Sequence, residues 1–203
     1  QITCVDGSTF QMYMANMKSI FMDMIKNTDM VIFNRCKKED PLPTYRRGIK
    51  VANQRAEVIF EDEEGELGDI FQDEMPFDMN APVIEILPED YGIWFVDAMD
   101  HPENYEGKTV KFKARVMKPR GMGSKFFVPG RTAMTCCADD TTFLGYVCKS
   151  AYAPKLTPGE WVEVTAKVGI EKRNEYQGEE GIVLAAEHVE QCDPLEDEMV
   201  YFN

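Results

Sequence analysis

A continuous apolar run at residues 30–33 (MVIF) restricts how the first third of this chain can fold. On either side of it, apolar residues recur at helical spacing, through residues 10–25 and again through about 44–53. Shorter β-branched runs occupy residues 2–5 and 56–60. An uninterrupted apolar strand is typical of a parallel sheet that is covered on both faces. The order of strand, helix, strand, helix and strand therefore predicts a right-handed parallel α/β unit.

Beyond residue 107 the pattern changes to the alternation that is typical of strands with one buried face. In residues 109–116, four apolar residues alternate with three basic ones, and residues 161–168 repeat the alternation. Shorter candidate strands lie at 126–128, 134–137, 144–148 and 181–189, separated by glycine-containing turns. About five strands in this length predict a small barrel of the OB type, because closure removes exposed sheet edges.

The charge distribution limits the classes of partner. The formal net charge is −14, which argues against general binding to nucleic acids or anionic membranes. There is no Lys or Arg between Ala56 and Gly107, whereas the segment from Lys108 to Arg131 contains no Asp or Glu. Six scattered cysteines indicate reduced thiols and a cytoplasmic location rather than a disulfide-rich secreted module. No apolar run reaches the roughly 18 residues that a membrane-spanning helix requires, so no direct membrane insertion is expected.

The segment CVDGSTFQMYMANMKSIFMDMIKNTDMVIFNRC resembles the second half of the nucleotide domain in CobW-like GTPases, a family of metallochaperones with P-loop domains. In that family a strand ending in Asp and a long helix lead to an apolar strand that ends in the guanine-recognition motif Asn-Lys-x-Asp. Downstream, RRGIKVANQRAEVIF is similar to the family's next helix and strand. The resemblance covers about residues 1–60 and implies a partial P-loop-type α/β unit whose partner is the upstream half of the same GTPase domain.

The guanine motif is degenerate in this chain. The resemblance places nucleotide contacts at Asn34, Arg35 and Lys37, where Arg35 replaces the family's Lys and Lys37 replaces its Asp. Loss of the Asp carboxylate puts the selectivity for guanine in doubt. No Gly-x-x-x-x-Gly-Lys-Ser/Thr loop is present to hold phosphates, so this chain is not expected to hydrolyse GTP by itself. Any GTPase activity, with GTP as its ligand, would need further chain upstream of Gln1.

A second resemblance covers about residues 104–201. The series YEGKTVKFKARV, FFVPGRTAMTCCADD, LGYVC, GEWVEVTAKV and DPLEDEMVYF is similar to the C-terminal domain of YcgQ-like proteins, a bacterial family associated with predicted permeases. It implies an OB-like barrel and no defined reaction. The predicted fold class is thus α/β plus all-β. Residues 1–89 are expected to form the partial α/β domain with an acidic connector, and residues 90–203 the barrel domain with a leading helix.

Reactive side chains concentrate in residues 126–148 of the predicted barrel. Thiolates and carboxylates in this stretch are ligands that zinc accepts, and a histidine on the last strand would complete such a set. The candidate ligands are Cys136, Cys137, Asp140, Cys148 and His188. Adjacent strand residues point to opposite faces, so Cys136 and Cys137 need a bulge to share an ion. A structural alternative makes one cysteine a core residue and Asp139 or Asp140 a turn cap, while Arg131 is a candidate for lowering the pKa of a thiol.

These observations lead to one functional hypothesis and two alternatives. The chain is predicted to be the C-terminal part of a CobW-like GTPase or metallochaperone, whose OB-like barrel is an accessory module that binds zinc or a metal-receiving partner. The first alternative is a non-catalytic adaptor barrel that docks on a permease or another protein. The second is a barrel that binds single-stranded nucleic acid through Lys111, Lys113 and Arg115, against which the acidic remainder of the chain argues.

Overall fold

A computed structural model describes residues 1–68, 75–135 and 140–201 of the chain. The chain divides into two compact units. The first consists of Gln1–Glu74, Ala133–Thr142 and Tyr201–Asn203, and the second consists of Met75–Thr132 and Phe143–Val200. Each unit is considered by itself below.

The first unit contains a three-stranded parallel sheet with two helices in its crossover connections. Its elements are β1 (Ile2–Asp6), α1 (Gly7–Ile25), β2 (Met30–Asn34), α2 (Leu42–Ala52) and β3 (Glu57–Phe60), and the strand order is β1-β2-β3. Both strand pairs are parallel and in continuous register, as the apolar run at residues 30–33 indicated. The arrangement is a βαβαβ unit, and these elements alone do not identify a P-loop domain.

A capping side chain marks the start of α1, and a proline precedes the start of α2. Asp6 caps α1, because its Oδ1 accepts hydrogen bonds from the backbone N (3.1 Å) and the hydroxyl (2.6 Å) of Ser8. With Asp6 as its cap, α1 begins at Gly7, three residues before the helical spacing that starts at Phe10 in the sequence. The helix α2 begins at Leu42, directly after Pro41, and so earlier than the predicted start near residue 44.

Both helices cover the same face of the sheet. The core of this unit combines the inward side chains of the strands with one side of each helix. From the strands it includes Val5, Val31, Phe33 and Phe60, and Phe10 of α1 packs edge-on against Phe33 with ring centroids 5.0 Å apart. On the opposite face of the sheet, Ile2 is 62% exposed and Cys4 is also exposed. Within the described residues, this second face therefore has no helix covering it.

The second unit is built on a closed ring of five strands. These are β5 (Thr109–Met117), β6 (Phe126–Met134), β8 (Val147–Lys149), β9 (Trp161–Lys172) and β10 (Glu180–Gln191). The ring runs β5-β6-β8-β10-β9 and returns to β5. All neighbours are antiparallel except β8 and β10, which are parallel. This Greek-key ring confirms the prediction of a small OB-like barrel.

Shorter elements extend the ring. Strand β4 (Ile84–Glu85) pairs in parallel with β5, β7 (Thr141–Gly145) pairs with β6, and β11 (Met199–Val200) also pairs with β6. Helix α3 (Tyr91–Asp100) precedes β5. Residues 75–89, which the sequence analysis assigned to the first domain, belong to this second unit. The pairing of β4 with β5 explains that placement.

The interior of the barrel follows the alternation that the sequence shows. Successive residues of β5 alternate between half-buried and buried, with the basic side chains on the outer surface. Helix α3 contributes Trp94, whose ring lies 4.8 Å from that of Phe112, and Phe95, whose ring stacks on Tyr146 at 4.8 Å. Full burial of each such side chain contributes roughly 1.5–3 kcal/mol to stability. In the described part of the chain, no helix has the length and apolar character that crossing a lipid bilayer requires.

Candidate functional site

The carboxyl-terminal edge of the parallel sheet brings together the ends of β1 and β2. Asp6 and Asn34, the last residues of these strands, are register partners. The side chain of Asn34 is exposed, and within the described residues it makes no hydrogen bond. In open parallel α/β sheets, ligands bind beyond the carboxyl ends of the strands. This edge is therefore the candidate site of the first unit.

Arg35 connects the two strand ends. Its Nη1 lies 2.9 Å from Asp6 Oδ2, and its backbone adopts a left-handed conformation with φ of 54°. The hydrogen bond from the Ser8 hydroxyl, together with this guanidinium, holds the pKa of the Asp6 carboxyl below its ordinary value. Asp6 is consequently an anion that caps α1 and orients Arg35, rather than a group that is ready to accept a proton.

The loop after β2 is fixed by backbone and side-chain contacts. The backbone N of Lys37 donates to Asp40 Oδ2 at 2.7 Å, and the backbone N of Cys36 donates to the carbonyl of Glu61 at 2.9 Å. The Cys36 side chain is buried against Gly7, and burial raises the pKa of its thiol to about 11. This thiol is therefore a packing group. Asn34, Arg35 and Lys37, all three predicted from the sequence, lie together at one edge.

Three of the predicted metal ligands are close together in the sequence, after the end of β6 at Met134. Cys136 and Cys137 fall outside the described residues. Asp140 lies in the first unit, where one carboxylate oxygen is 2.9 Å from Lys26 Nζ and its carbonyl accepts from the backbone N (3.0 Å) and hydroxyl (2.8 Å) of Thr135. The Asp140 carboxylate, together with that of Asp23, raises the pKa of the Lys26 ammonium. Asp140 is therefore bonded to Thr135 through its carbonyl and paired with Lys26 through its carboxylate.

The other two predicted ligands lie apart on the barrel wall. Cys148 in β8 is fully buried, and burial raises the pKa of its thiol to about 12. His188 in β10 is exposed, and its Nε2 lies 3.5 Å from Glu190 Oε2. In the ranges 1–68, 75–135 and 140–201, no group of three His, Cys, Asp or Glu side chains is arranged to hold a metal ion. The structure thus does not bring Cys148 and His188 to a common site.

Arg131 holds chain segments together inside the second unit. The guanidinium is 2% exposed and donates to three carbonyls, those of Pro88, Asp197 (2.9 Å) and Met199 (3.1 Å). It also lies over the Tyr91 ring, 5.6 Å from the centroid. Among the described residues it has no carboxylate partner within ion-pair distance, and desolvation lowers its pKa. Through these contacts, the buried Arg131 side chain attaches the C-terminal segment to the rest of the second unit.

A second feature of the first unit is an apolar groove that sequence reasoning missed. It has a volume of about 460 Å³ and lies between α1 and the edge of β1 that does not pair with β2. Asp6 is the one charged residue among those lining it. Its apolar walls include Tyr13, Met17, Ile20 and Met24, all of which are exposed large side chains. The signal was present in the sequence, because apolar residues surround α1 on more than one side.

The fold assigns the chain to a structural class, in which an α/β segment is followed by a closed five-stranded barrel of the OB type. Residues 66–202 match the family described as the DUF1980 C-terminal domain. The chain belongs to that family.

Other comparisons found structures of low similarity. A mitochondrial single-stranded DNA-binding protein from S. cerevisiae, Rim1, is 10% identical, with a TM-score of 0.26, over 43% of this chain and 97% of that chain. The aspartyl-tRNA synthetase from Entamoeba histolytica is 15% identical, with a TM-score of 0.29, over 58% of this chain and 27% of that chain. No curated protein matches. The assignment of the barrel rests on the strand pairings and not on these scores.

Proposed function

We propose that this chain is the C-terminal part of a CobW-like nucleotide-binding protein, whose barrel is an accessory module that binds a partner or a metal. The observation that carries the proposal is the juxtaposition of Asp6, Asn34 and Arg35 at the carboxyl edge of a parallel sheet. A nucleotide-dependent role is consistent with the cytoplasmic location that the cysteine content indicated.

The uncovered surfaces of the first unit support the proposal that it is one half of a larger domain. A parallel sheet is ordinarily covered on both faces, whereas the face of this sheet that carries Ile2 and Cys4 is exposed. Among the described residues, strand β1 pairs with β2 alone, so its other edge has no strand partner there. In the proposal, the upstream half of the same domain adds strands at β1 and covers the apolar groove.

The chemistry of the loop at residues 34–37 defines which part of a nucleotide it would contact. The amide of Asn34 offers both donors and an acceptor to a base, and Arg35 is already engaged with Asp6. Lys37 carries an ammonium where a carboxylate would accept hydrogen bonds from guanine. We therefore propose base contact through Asn34 with little discrimination between guanine and adenine.

Nucleosides test this proposal without requiring a phosphate site. Backbone amide resonances of the isotope-labelled 203-residue protein are recorded during titration with guanosine and, separately, adenosine. Saturable shifts at Arg35, Cys36 and Lys37 are expected, with a Kd of about 1 mM, which corresponds to roughly −4 kcal/mol.

Two variants and one control variant test whether the shifts report contact between the base and residues 34–37. Asn34→Ala removes the proposed base contact, so the shifts should disappear, whereas Asn174→Ala, which removes an amide from a barrel loop, should leave them unchanged. Lys37→Asp supplies a carboxylate and should favour guanosine over adenosine. Absence of saturable shifts, or shifts that persist in Asn34→Ala, would overturn the nucleotide proposal.

A further inference from the structure

One side of the barrel carries a cationic surface made by two chain segments. It consists of residues 118–125, which connect β5 to β6, and residues 147–156, which include β8 and the turn after it. The two segments carry five basic residues, Lys118, Arg120, Lys125, Lys149 and Lys155, and neither contains an Asp or a Glu. In a chain with a formal net charge of −14, this local concentration of positive charge is distinctive.

Direct contacts hold these two segments side by side. The ammonium of Lys118 donates to the carbonyl of Leu156, and the backbone N of Ser150 donates to the carbonyl of Lys125 at 2.9 Å. Phe126, which follows the first segment, is the register partner of Lys149. The five basic residues therefore belong to one continuous surface and are not scattered over the barrel.

Most of this positive charge is available to a partner. Arg120, Lys125, Lys149 and Lys155 are exposed, and none of them forms an ion pair within the residues that the structure describes. Tyr152, on the same surface, is 46% exposed and offers an aromatic ring. Such a surface attracts anions, and the attraction weakens as salt is added.

The charges beside the cationic surface indicate which kind of anion fits. At the start of the β9–β10 connection, Arg173 stacks on Phe126, with its guanidinium 4.3 Å from the ring centroid, and is paired with Glu175 at 2.9 Å. Glu171, Glu179 and Glu180 lie at the same end of these two strands. A nucleic-acid strand that crossed the barrel towards this connection would meet four carboxylates, whereas a short acidic peptide needs only the cationic surface.

We propose that the cationic surface docks an acidic segment of a partner protein. This inference rests on the accessory role proposed for the barrel and specifies its partner chemistry. Charge complementarity provides the attraction and the rate of encounter, and Tyr152 provides an apolar contact for a side chain of the partner.

An acetylated octaglutamate peptide, carrying a fluorophore, is the probe, and fluorescence anisotropy with the 203-residue protein is the measurement. Saturable binding is expected at low salt, and raising NaCl from about 50 mM to about 300 mM should weaken it, because exposed charges are screened. The variant Lys125→Glu/Lys149→Glu should lose about tenfold or more in affinity, as expected where charge complementarity supplies the attraction.

Matched controls make each outcome decisive. The variant Lys38→Glu/Lys167→Glu changes the net charge equally, at two exposed lysines outside the cationic surface, and should retain the wild-type affinity. Equal losses in both double variants, or no binding by the wild type, would overturn the proposal. Tighter binding of a deoxythymidine oligomer of similar charge would overturn it in favour of a nucleic-acid surface. Each of these results is independent of the nucleoside titration, which tests the other unit.

Discussion

Gly7 lies so close to Cys36 that a β-carbon on Gly7 would be 2.7 Å from Cys36 Sγ and 3.0 Å from the carbonyl oxygen of Asn34. The contact joins the start of α1 to the loop after β2, and so it fixes the spacing of the two strand ends that form the candidate site. Gly7→Ala should therefore destabilise the first unit by about 1–3 kcal/mol through overpacking, as measured by urea unfolding.

Gly48→Ala is the matched control for this substitution. Gly48 lies inside α2, and a β-carbon there would meet no atom within 4 Å, so alanine should stabilise the helix by roughly 0.5–1 kcal/mol. Combining Gly7→Ala with Cys36→Ala should recover part of the lost stability, because the nearest obstructing atom is removed. A Gly7→Ala protein that is as stable as the wild type would contradict the predicted close packing.

Arg131 should be required for attachment of the C-terminal segment to the barrel. Arg131→Met keeps most of the buried volume but leaves three carbonyls without their donor, and each buried unsatisfied group costs about 1–3 kcal/mol. We expect a loss of roughly 3 kcal/mol in stability together with faster amide hydrogen exchange at Met199 and Val200.

Arg115→Met provides the comparison, because Arg115 also contacts this segment but from the exposed surface, 3.7 Å from Glu198. Such a pair contributes about 0–1 kcal/mol, so exchange in β11 should stay close to that of the wild type. If both variants released β11 equally, the buried guanidinium would not be the group that holds it.

The buried thiols predict a loss of stability at alkaline pH. Burial raises the pKa of Cys36 to about 11 and that of Cys148 to about 12, so both remain protonated in the folded protein. In the unfolded chain a thiol ionises near pH 8.5. Their contribution to stability is therefore complete below about pH 8.5 and declines as the pH rises towards 11.

Urea unfolding at pH 8 and at pH 10 measures this decline. Cys148→Ala should be less stable than the wild type at pH 8 but should show a smaller difference between the two pH values. Buried tyrosines with raised pKa values, among them Tyr91 and Tyr146, act in the same direction at higher pH. An unchanged pH dependence in Cys148→Ala would show that this thiol is accessible to ionisation in the folded state.

Any zinc that the protein binds should be independent of Cys148 and His188. The first side chain is fully buried and the second is exposed beside Glu190, so removing either one should not change the metal content. Elemental analysis of protein purified without chelator, in Cys148→Ala and His188→Ala, measures this directly. Loss of zinc in either variant would contradict the geometry described here.

The same analysis of Cys136→Ser/Cys137→Ser addresses the rest of the predicted metal site. If the wild type carries stoichiometric zinc and this variant does not, the zinc hypothesis is supported with Cys136 and Cys137 as ligands and without Cys148 and His188. Wild-type protein without stoichiometric zinc would show that the hypothesis is wrong.

The barrel could be predicted because the pattern that indicates its strands lies within each short stretch of sequence. Alternation of apolar and basic residues in β5 is the direct consequence of one buried face, and the structure reproduces it residue by residue. The ring closure between β5 and β6, at Arg115 and Gly130, involves a shorter stretch that periodicity does not specify. Glycine at position 130 is required by a different pairing, because a β-carbon there would lie 2.3 Å from the carbonyl oxygen of Leu144 and 2.4 Å from the Phe143 ring in β7.

The candidate metal site was harder to predict, because the direction of a side chain and its depth of burial depend on which strands pair and not on the local sequence. Sequence spacing places Cys148 and His188 on strands that do not adjoin in the chain, and it does not state that β8 and β10 are parallel neighbours. Once that pairing is known, Cys148 is aligned with Leu184, inside the barrel, whereas His188 follows an irregularity in the register and lies outside. Asn34 and Arg35, in contrast, are neighbours in the sequence at the end of an apolar strand, and the resemblance to CobW-like GTPases is what makes them candidate nucleotide contacts.

The apolar groove of the first unit should make this 203-residue protein self-associate. Ile20 is 62% exposed, Met24 is 52% exposed, and both line the groove beside the edge of β1 that faces away from β2. Contiguous exposed apolar surface of this kind is typical of sites that are normally covered by another segment or subunit.

Sedimentation velocity across a range of concentrations should show reversible association, and the double variant Ile20→Lys/Met24→Lys should reduce it. The control Tyr152→Lys/Leu87→Lys removes two exposed apolar side chains from the barrel and should leave the association unchanged. A wild-type protein that stays monomeric at high concentration, or equal effects of both variants, would show that the groove does not drive association.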